Sequence, residues 1–344
     1  MQALILVGGF ATRLRPFTEN RPKALIPILN KPMIVHLIDK VSGIVDEVIL
    51  AVNYGKEQLQ EYFDNHDVGV QITLHPEAEP LGTGGAIKNA EKLINDTFIV
   101  FNGDVITSLD MHKFIAFHNK NKGLGCLALW EVEDPSRFGI IAIDDNQRIT
   151  RFLEKPKPEE IFSHLINAGT YCLEPEILDL IPSGRKVSIE REVFPNVLDK
   201  RLYGFEFTGY WFDAGTPEIY LEVHRQLLDI MLDEKTRIEP GEGTEIAANA
   251  ELDSRVMIGK NCKIGAETVL GSYVFLGDNV TLGPRCKITN SVIDTGTSLG
   301  AEITGENIIL GRRNKVESNL YLPEGLITGD EYEVDKQFLK NVKI

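Results

Sequence analysis

Beyond residue 245 the chain repeats every six residues. Aliphatic side chains stand at Ile246, Leu252, Ile258, Ile264, Leu270, Leu276, Leu282 and Ile288, and Gly259, Gly265, Gly271, Gly277 and Gly283 follow five of them directly. Small or β-branched residues, Val256, Cys262, Thr268, Val274, Val280 and Cys286, sit four places after an aliphatic. Neither a helix, with period 3.6, nor an alternating strand, with period 2, produces this spacing. A period of six predicts a parallel β-helix in which one aliphatic per flat face stacks on the coil below and glycine eases the corner. An ordinary β-sandwich would not hold one register over eight units. At three units per coil the repeat predicts fewer than three coils before the register fails at Asp294. Leu299-Gly300 and Leu310-Gly311 point to a continuation with insertions or a cap.

The first two thirds have a different texture. Short apolar β-rich runs at 3–7, 46–52 and 97–101 alternate with helix-like stretches at 56–65 and 84–94. Such alternation predicts a mixed, mostly parallel Rossmann-like sheet with helices on both faces. Further strands are expected at 124–130, 138–143, 148–153 and 168–173, and a helix at 216–233 closes the domain. The expected domains are 1–235, a linker at 236–245, and a short left-handed parallel β-helix of hexapeptide repeats with a C-terminal cap at 246–344. Ligands of open α/β sheets bind past the carboxyl ends of the strands, which directs attention to the residues after Val7 and Phe101.

Charge narrows the partners. With 36 basic and 51 acidic residues the chain carries −15, which disfavours nucleic acid and anionic membranes, since both need a cationic surface. Yet residues 1–31 hold five basic residues (Arg13, Arg15, Arg21, Lys23, Lys31) against Glu19 alone. That local charge suits a small polyanion. The four cysteines show no CxxC spacing, so reduced thiols in the cytoplasm are expected rather than a zinc site. The apolar start MQALILVGG is too short for a signal h-region, and no stretch nears the length of a membrane span.

The cationic stretch follows the first strand and reads GGFATRLRPFTENRPKALIPILNKP. Glycines let backbone N–H groups close on phosphate oxygens, and Arg and Lys supply compensating charge. It has neither the GK[ST] ending of a P-loop nor GxGxxG spacing. Downstream come EPLGTGGA (79–86), FNGD (101–104), FLEKP (152–156), NAGTY (167–171), SIEREVFP (188–195) and GYWFDAGTPEIYL (209–221). FIVFNGD places Asp104 just past a buried strand, where a metal or an N-cap role is open to it. A carboxylate at Asp213, between Phe212 and Ala214, calls for a cation or an Arg partner.

In that order the motifs resemble the signature of the sugar-phosphate nucleotidyltransferases over essentially the whole chain, and within that family the guanylyltransferases. The resemblance implies transfer of a nucleotide from an NTP to a sugar 1-phosphate with release of pyrophosphate, Mg2+ as cofactor, and GTP with mannose 1-phosphate as substrates. UTP or dTTP with glucose 1-phosphate is the alternative, and a non-catalytic sugar-nucleotide-binding subunit an alternative of another class. Matched to the family motifs, Arg13 and Lys23 grip the triphosphate and Lys155 the sugar phosphate. Nucleotide contacts fall to Leu6, Gly8, Gly9, Thr12, Glu79, Pro80, Gly82, Thr83, Gly84, Asn102 and Asp104. Gly139, Glu154, Asn167 and Gly169 surround the sugar phosphate, and Asp104 and Asp213 hold the metal. Two departures stand out: Ala11 replaces the family's second loop glycine, and LGTGG replaces the usual LGTAG. A positive φ at Ala11 would strain its Cβ. None of the seven histidines lies beyond 245, which disfavours an acyltransferase site there. The β-helix is expected to serve homo-oligomerisation.

Overall fold

A computed structural model describes residues 1–9, 11–232 and 238–342. By their contacts these form two units, 1–9 with 33–213 and 10–32 with 214–344. The loop 11–32 and the helix at 217–231 therefore make their contacts within the second unit, whereas a boundary at 235 groups them with the first. Residues 233–237, where that boundary and the start of the linker were expected, lie outside the described residues.

The first unit is built on strands β1 (Gln2–Leu6), β2 (Glu47–Val52), β3 (Gln71–Pro76) and β4 (Phe98–Asn102), followed by a short β5 (Val105–Thr107). Then come β6 (Gly125–Glu131), β7 (Gly139–Ile143), β8 (Ile149–Glu154), β9 (Leu165–Leu173), β10 (Leu202–Glu206) and β11 (Trp211–Asp213). The sheet order is β8-β7-β9-β4-β1-β2-β3, with β6 pairing β9 and β10. Strands β1 to β4 pair in parallel, and β9 runs antiparallel to β4, β6 and β7. Val48 to Ala51 and Phe98 to Phe101 are 0 % exposed, so both faces of these strands are covered. Helices α1 (Met33–Val41), α2 (Lys56–Asn65), α3 (Gly82–Asn89) and α4 (Met111–Asn121) belong to this unit. Where a helix was expected at 84–94, α3 gives way at Ala90 to a 3-10 turn, Glu91–Leu93.

In the second unit α5 (Pro217–Met231) precedes the β-helix, whose three parallel sheets have six, five and four strands. The β-helix continues past Asp294, as the pairs Leu299-Gly300 and Leu310-Gly311 suggested, but through shortened coils rather than insertions. One face stacks Ile246, Ile264, Leu282, Leu299, Val316 and Val334 without interruption. What changes at Asp294 is coil length, because the corner residues with positive φ recur every sixth position except from Arg285 to Asn290 and from Asn307's predecessor Glu302 to Asn307, where the step is five. Two shortened corners lie in successive coils and keep the inward faces in line. On a second face, Leu252, Leu270, Ile288 and Leu322 stack with Gly305 in the fourth place, where Ile308 Cδ1 fills the space that a Cβ would approach to 2.8 Å. The helix α6 (Lys336–Asn341), capped by Asp335, ends the described residues of the fold.

The repeat glycines are explained by stacking rather than by φ. A Cβ on Gly265 would lie 2.6 Å from the backbone carbon of Gly283 and the nitrogen of Pro284 in the next coil. The left-handed residue comes two places later, at Glu267, which is exposed. Gly265→Ala should therefore force adjacent coils apart. We expect it to destabilise the β-helix by about 1–3 kcal/mol, read as a lower denaturant midpoint for its unfolding.

Candidate active site

The carboxyl ends of β1, β2 and β4 lie side by side, with Leu6 opposite Ala51 on one side and Asn102 on the other. Gly8 and Gly9 leave β1 here, and Asn53 and the Glu77 carboxylate come within 3.8 Å of where a Gly8 Cβ would sit. The backbone N–H of Gly103 donates to the Leu6 carbonyl at 3.0 Å. A Cβ at 103 would come within 2.5 Å of that same oxygen, so only glycine allows the turn. Asp104 follows at once, partly exposed at the strand ends.

Beyond it β5 pairs antiparallel with β11, and the register sets Asp213 opposite Val105. The backbone register thus brings Asp104 and Asp213, distant in sequence, to the same end of a two-stranded ribbon. The Trp211 indole N–H donates to the Ala168 carbonyl at 2.8 Å and its ring packs edge-on to Phe138, which ties the ribbon to the NAGTY segment. Among the described residues no group of three or more His, Cys, Asp or Glu side chains could hold a metal. Two carboxylates are a donor set that fits a cation such as Mg2+, which completes its shell with water and phosphate oxygens.

The sugar-phosphate candidates converge around β7, β8 and β9. Glu154 is paired opposite Gly139, and a Cβ on Gly139 would come within 2.6 Å of the Glu154 carboxylate. Lys155 is exposed, with φ +52°, and its N–H donates to Phe138. A register shift in β9 between Asn167 and Tyr171 makes room for Gly169 at φ +71°. The Asn102 amide lies against Gly169, 2.7 Å from an added Cβ, and its Oδ1 is buried without a hydrogen-bond partner. The Asn167 amide already donates to the Tyr171 hydroxyl at 2.8 Å and accepts from Gly169 N–H.

The EPLGTGG segment docks on residues 185–190. Gly82 has φ +71°, and a Cβ there would lie 2.6 Å from the Val187 carbonyl oxygen. Gly84 and Gly85 both donate to that carbonyl, and Val187 N–H returns a bond to Leu81. Gly82 and Gly84 therefore have a protein neighbour that accounts for them. Thr83 donates to Glu190 at 2.6 Å, as does Ser188 at 2.7 Å, and the Tyr171 hydroxyl reaches the other Glu190 oxygen. Glu190, 8 % exposed on a π-helical turn, Ile189–Val193, joins the segment at 79–86 to NAGTY. Glu190 stands inside SIEREVFP, but the motif does not show which of its residues is buried; Glu77, whose carboxylate accepts from Leu81 N–H ahead of the same segment, belongs to no motif. Both arise from contacts made only on folding.

Thr12, Arg13 and Lys23 belong to the second unit. Thr12 and Arg13 are exposed on a 3-10 turn, Thr12–Leu14, preceded by Ala11 at φ +46°. The positive φ anticipated there is present, and the Thr18 hydroxyl braces it by donating to the Ala11 carbonyl at 2.9 Å. Lys23 opens a second 3-10 turn, Lys23–Leu25, and is half-buried.

Burial pushes the Glu154 carboxyl above the usual range, the negative charge of Glu190 adds to this, and Lys155 and Arg191 oppose it. A carboxyl raised in the folded state favours folding when protonated, so its ionised form costs stability above that range and nothing below it. Glu154→Gln should melt above the parent protein at pH 7 to 8, with the difference vanishing as the pH falls below about 4. Thermal melts across pH check this, and a difference independent of pH would refute it.

Residues 2–230 match the Nucleotidyl transferase family, and residues 252–344 match the GMPPB C-terminal domain. The chain is 39% identical to a mannose-1-phosphate guanyltransferase of Schizosaccharomyces pombe over 97% of its own length and 94% of the relative's. It is 41% identical to a probable mannose-1-phosphate guanylyltransferase 2 of Arabidopsis thaliana over 76% of this chain and 74% of that one. Among solved structures, HddC from Yersinia pseudotuberculosis complexed with GMP-PN superposes with a TM-score of 0.56 at 31% identity, covering 66% of this chain and 99% of the other. The chain belongs to the nucleotidyl transferase family, among the sugar-1-phosphate nucleotidyltransferases related to the mannose-1-phosphate guanylyltransferases.

Proposed function

We propose that the protein joins GTP and mannose 1-phosphate to give GDP-mannose and pyrophosphate. The observation that carries this reading is 39% identity over nearly the full length to a guanyltransferase of that name, in a chain whose strand register sets Asp213 opposite the residue after Asp104. The relative crystallised with GMP-PN supports a guanine nucleotide.

The attacking oxygen of a sugar 1-phosphate is already ionised, so the reaction needs no protein nucleophile or general base. Catalysis is then positioning and charge neutralisation at the α-phosphorus. Asp104 and Asp213 are the residues to hold Mg2+, which when bound supplies positive charge to the phosphate oxygens. Arg13, with its bidentate fork, stabilises the departing pyrophosphate, and Lys23 acts on the triphosphate as a point charge. Lys155 holds the incoming sugar phosphate. Glu154 and Asn167 orient sugar hydroxyls, with Gly139 leaving room for Glu154 and Gly169 for Asn102, which offers its unmatched Oδ1 to the nucleotide as an acceptor. Leu6, Gly8, Gly9, Thr12, Glu79, Pro80 and Thr83 line the nucleotide, while Gly82 and Gly84 serve by letting their segment pack against Val187. Glu190 positions Thr83 and Tyr171.

By function we assign residues 1–235 to the catalytic domain (although 11–32 and 217–231 cluster with the β-helix), 236–245 to a linker and 246–344 to the β-helix, which mediates homo-oligomers. A monomer by light scattering at micromolar concentration would count against that assembly. No described helix is long and apolar enough to cross a membrane, and all four cysteines are free and buried, with Cys172 pushed up to about 12 by burial and the nearby Glu174 charge. Both observations support the cytoplasm as its place of action.

A pyrophosphate-release panel pairing GTP, UTP and dTTP with mannose and glucose 1-phosphates tests the substrates. Turnover only with UTP or dTTP and glucose 1-phosphate would replace the leading pair, and none with any pair would favour a non-catalytic subunit. Asp104→Ala and Asp213→Ala should each lower turnover on the order of a hundredfold or more, with unchanged circular dichroism. Full activity in either would remove that carboxylate from the mechanism.

A further inference from the structure

The cationic loop contains one arginine that does not face solvent. Arg13, Arg15, Glu19 and Asn20 are exposed, but Arg21 is 2 % exposed and ranks among the largest fully buried side chains. Its guanidinium lies 2.6 Å from the Asp294 carboxylate and 3.8 Å from Asp330, whose side chains are 4 % and 5 % exposed. The Asp294 contact is ionic rather than an aligned hydrogen bond. Arg312 closes the cluster with a two-pronged bond to Asp330 at 2.9 and 2.7 Å, and the Phe17 ring covers Arg21 at 4.3 Å. Burial opposes the charge on Arg21, yet Asp294 and then Asp330 hold its pKa above the ordinary value.

Other bonds fix the same loop to the same unit. The Tyr220 hydroxyl donates to the Pro27 carbonyl at 2.5 Å, Asn30 Nδ2 to the Leu276 carbonyl at 2.7 Å, and Tyr332 reaches Glu19. Asp294 also occupies a telling place in the repeat. Glycine follows the aliphatic in five earlier units, but after Ile293 the residue is aspartate, where the first shortened coil begins to stack. Burying three charges to hold a loop is a costly choice where apolar packing serves as well, and it makes sense when the loop must sit in one register.

We propose that Asp294 and Asp330, acting through Arg21, are positioning residues for the triphosphate loop, so that the β-helix fixes where Arg13 and Lys23 stand. This rests on the reading of Arg13 and Lys23 as triphosphate contacts, and the experiment separates the two. Removing one buried partner strands a charge and lowers stability, so the double variant Arg21→Met/Asp294→Asn, which neutralises both, accompanies Asp294→Asn.

With the full chain, steady-state kinetics should show KM for GTP raised about tenfold in each folded variant. That is about 1.4 kcal/mol of lost binding, with KM for mannose 1-phosphate changed less than twofold. Arg313→Ala, which removes an exposed pair with Glu331 on the same β-helix, should leave both constants unchanged. A purely structural role would lower the melting temperature while leaving KM for GTP as it was, and that result overturns the inference. Arg13→Ala serves as the reference arm. If it impairs GTP use while the double variant does not, the positioning role fails alone. If Arg13→Ala has no effect, the phosphate-loop reading fails and the inference with it.

Discussion

The hydrogen bond from Gly103 to the carbonyl at the end of β1 decides where the chemistry of the first unit can stand. It brings the FNGD turn so close to Leu6 that no side chain fits at 103, and it delivers Asp104 directly past the strand ends. From there the chain turns into β5, and the pairing of β5 with β11 returns Asp213 to the same place. A Rossmann-like sheet supplies the location, but a glycine and a three-residue ribbon supply the pair of carboxylates. Two acids separated by more than a hundred residues need no long-range recognition of their own, since each is carried by a backbone ladder.

The β-helix shows which sequence signals survive folding unchanged and which do not. A period of six was legible because every coil repeats the same inward burial, and each fully buried aliphatic contributes roughly 1.5–3 kcal/mol that an exposed one would not. The reading broke at Asp294 because it counted residues rather than corners. Corners are set by the left-handed residue, and the runs Arg285 to Asn290 and Glu302 to Asn307 are one residue shorter while the faces stay in line. At these corners the Asn290 amide N–H donates to Asn307 Oδ1 of the next coil. Because polar side chains fill these positions as readily as others, composition does not reveal the shortening.

Much of the candidate site could be read as ordered motifs, and strands such as 47–52 and 98–102 fell close to expectation. What stayed hidden were buried polar residues with distant partners. Glu190 takes bonds from Thr83, Ser188 and Tyr171, which come from three motifs, and Glu77 meets Leu81 around a turn. Glu190 shares its motif with Glu192 and Glu77 belongs to none, and a Glu in a sequence is indistinguishable from a solvated one until burial is known. The glycines of EPLGTGG were visible, but their reason was not, since the carbonyl of Val187 that demands them lies a hundred residues away.

The same distinction sharpens the meaning of the cationic loop. Its five basic residues looked interchangeable as a source of charge for a polyanion, yet Arg21 is matched within the fold by Asp294 and Asp330. Its field is largely cancelled before any ligand arrives. On the proposed reading, the charge available to phosphate is that of residues with solvent access, Arg13 foremost, and the work of Arg21 is geometric. A loop with a left-handed alanine at its start and short 3-10 turns has little secondary structure to hold it, so its precision has to come from tertiary contacts. Placing those contacts on regularly stacked coils ties a loop without regular structure to a repeating hydrogen-bonded frame, the kind of positioning on which the proposed in-line transfer between two phosphates depends.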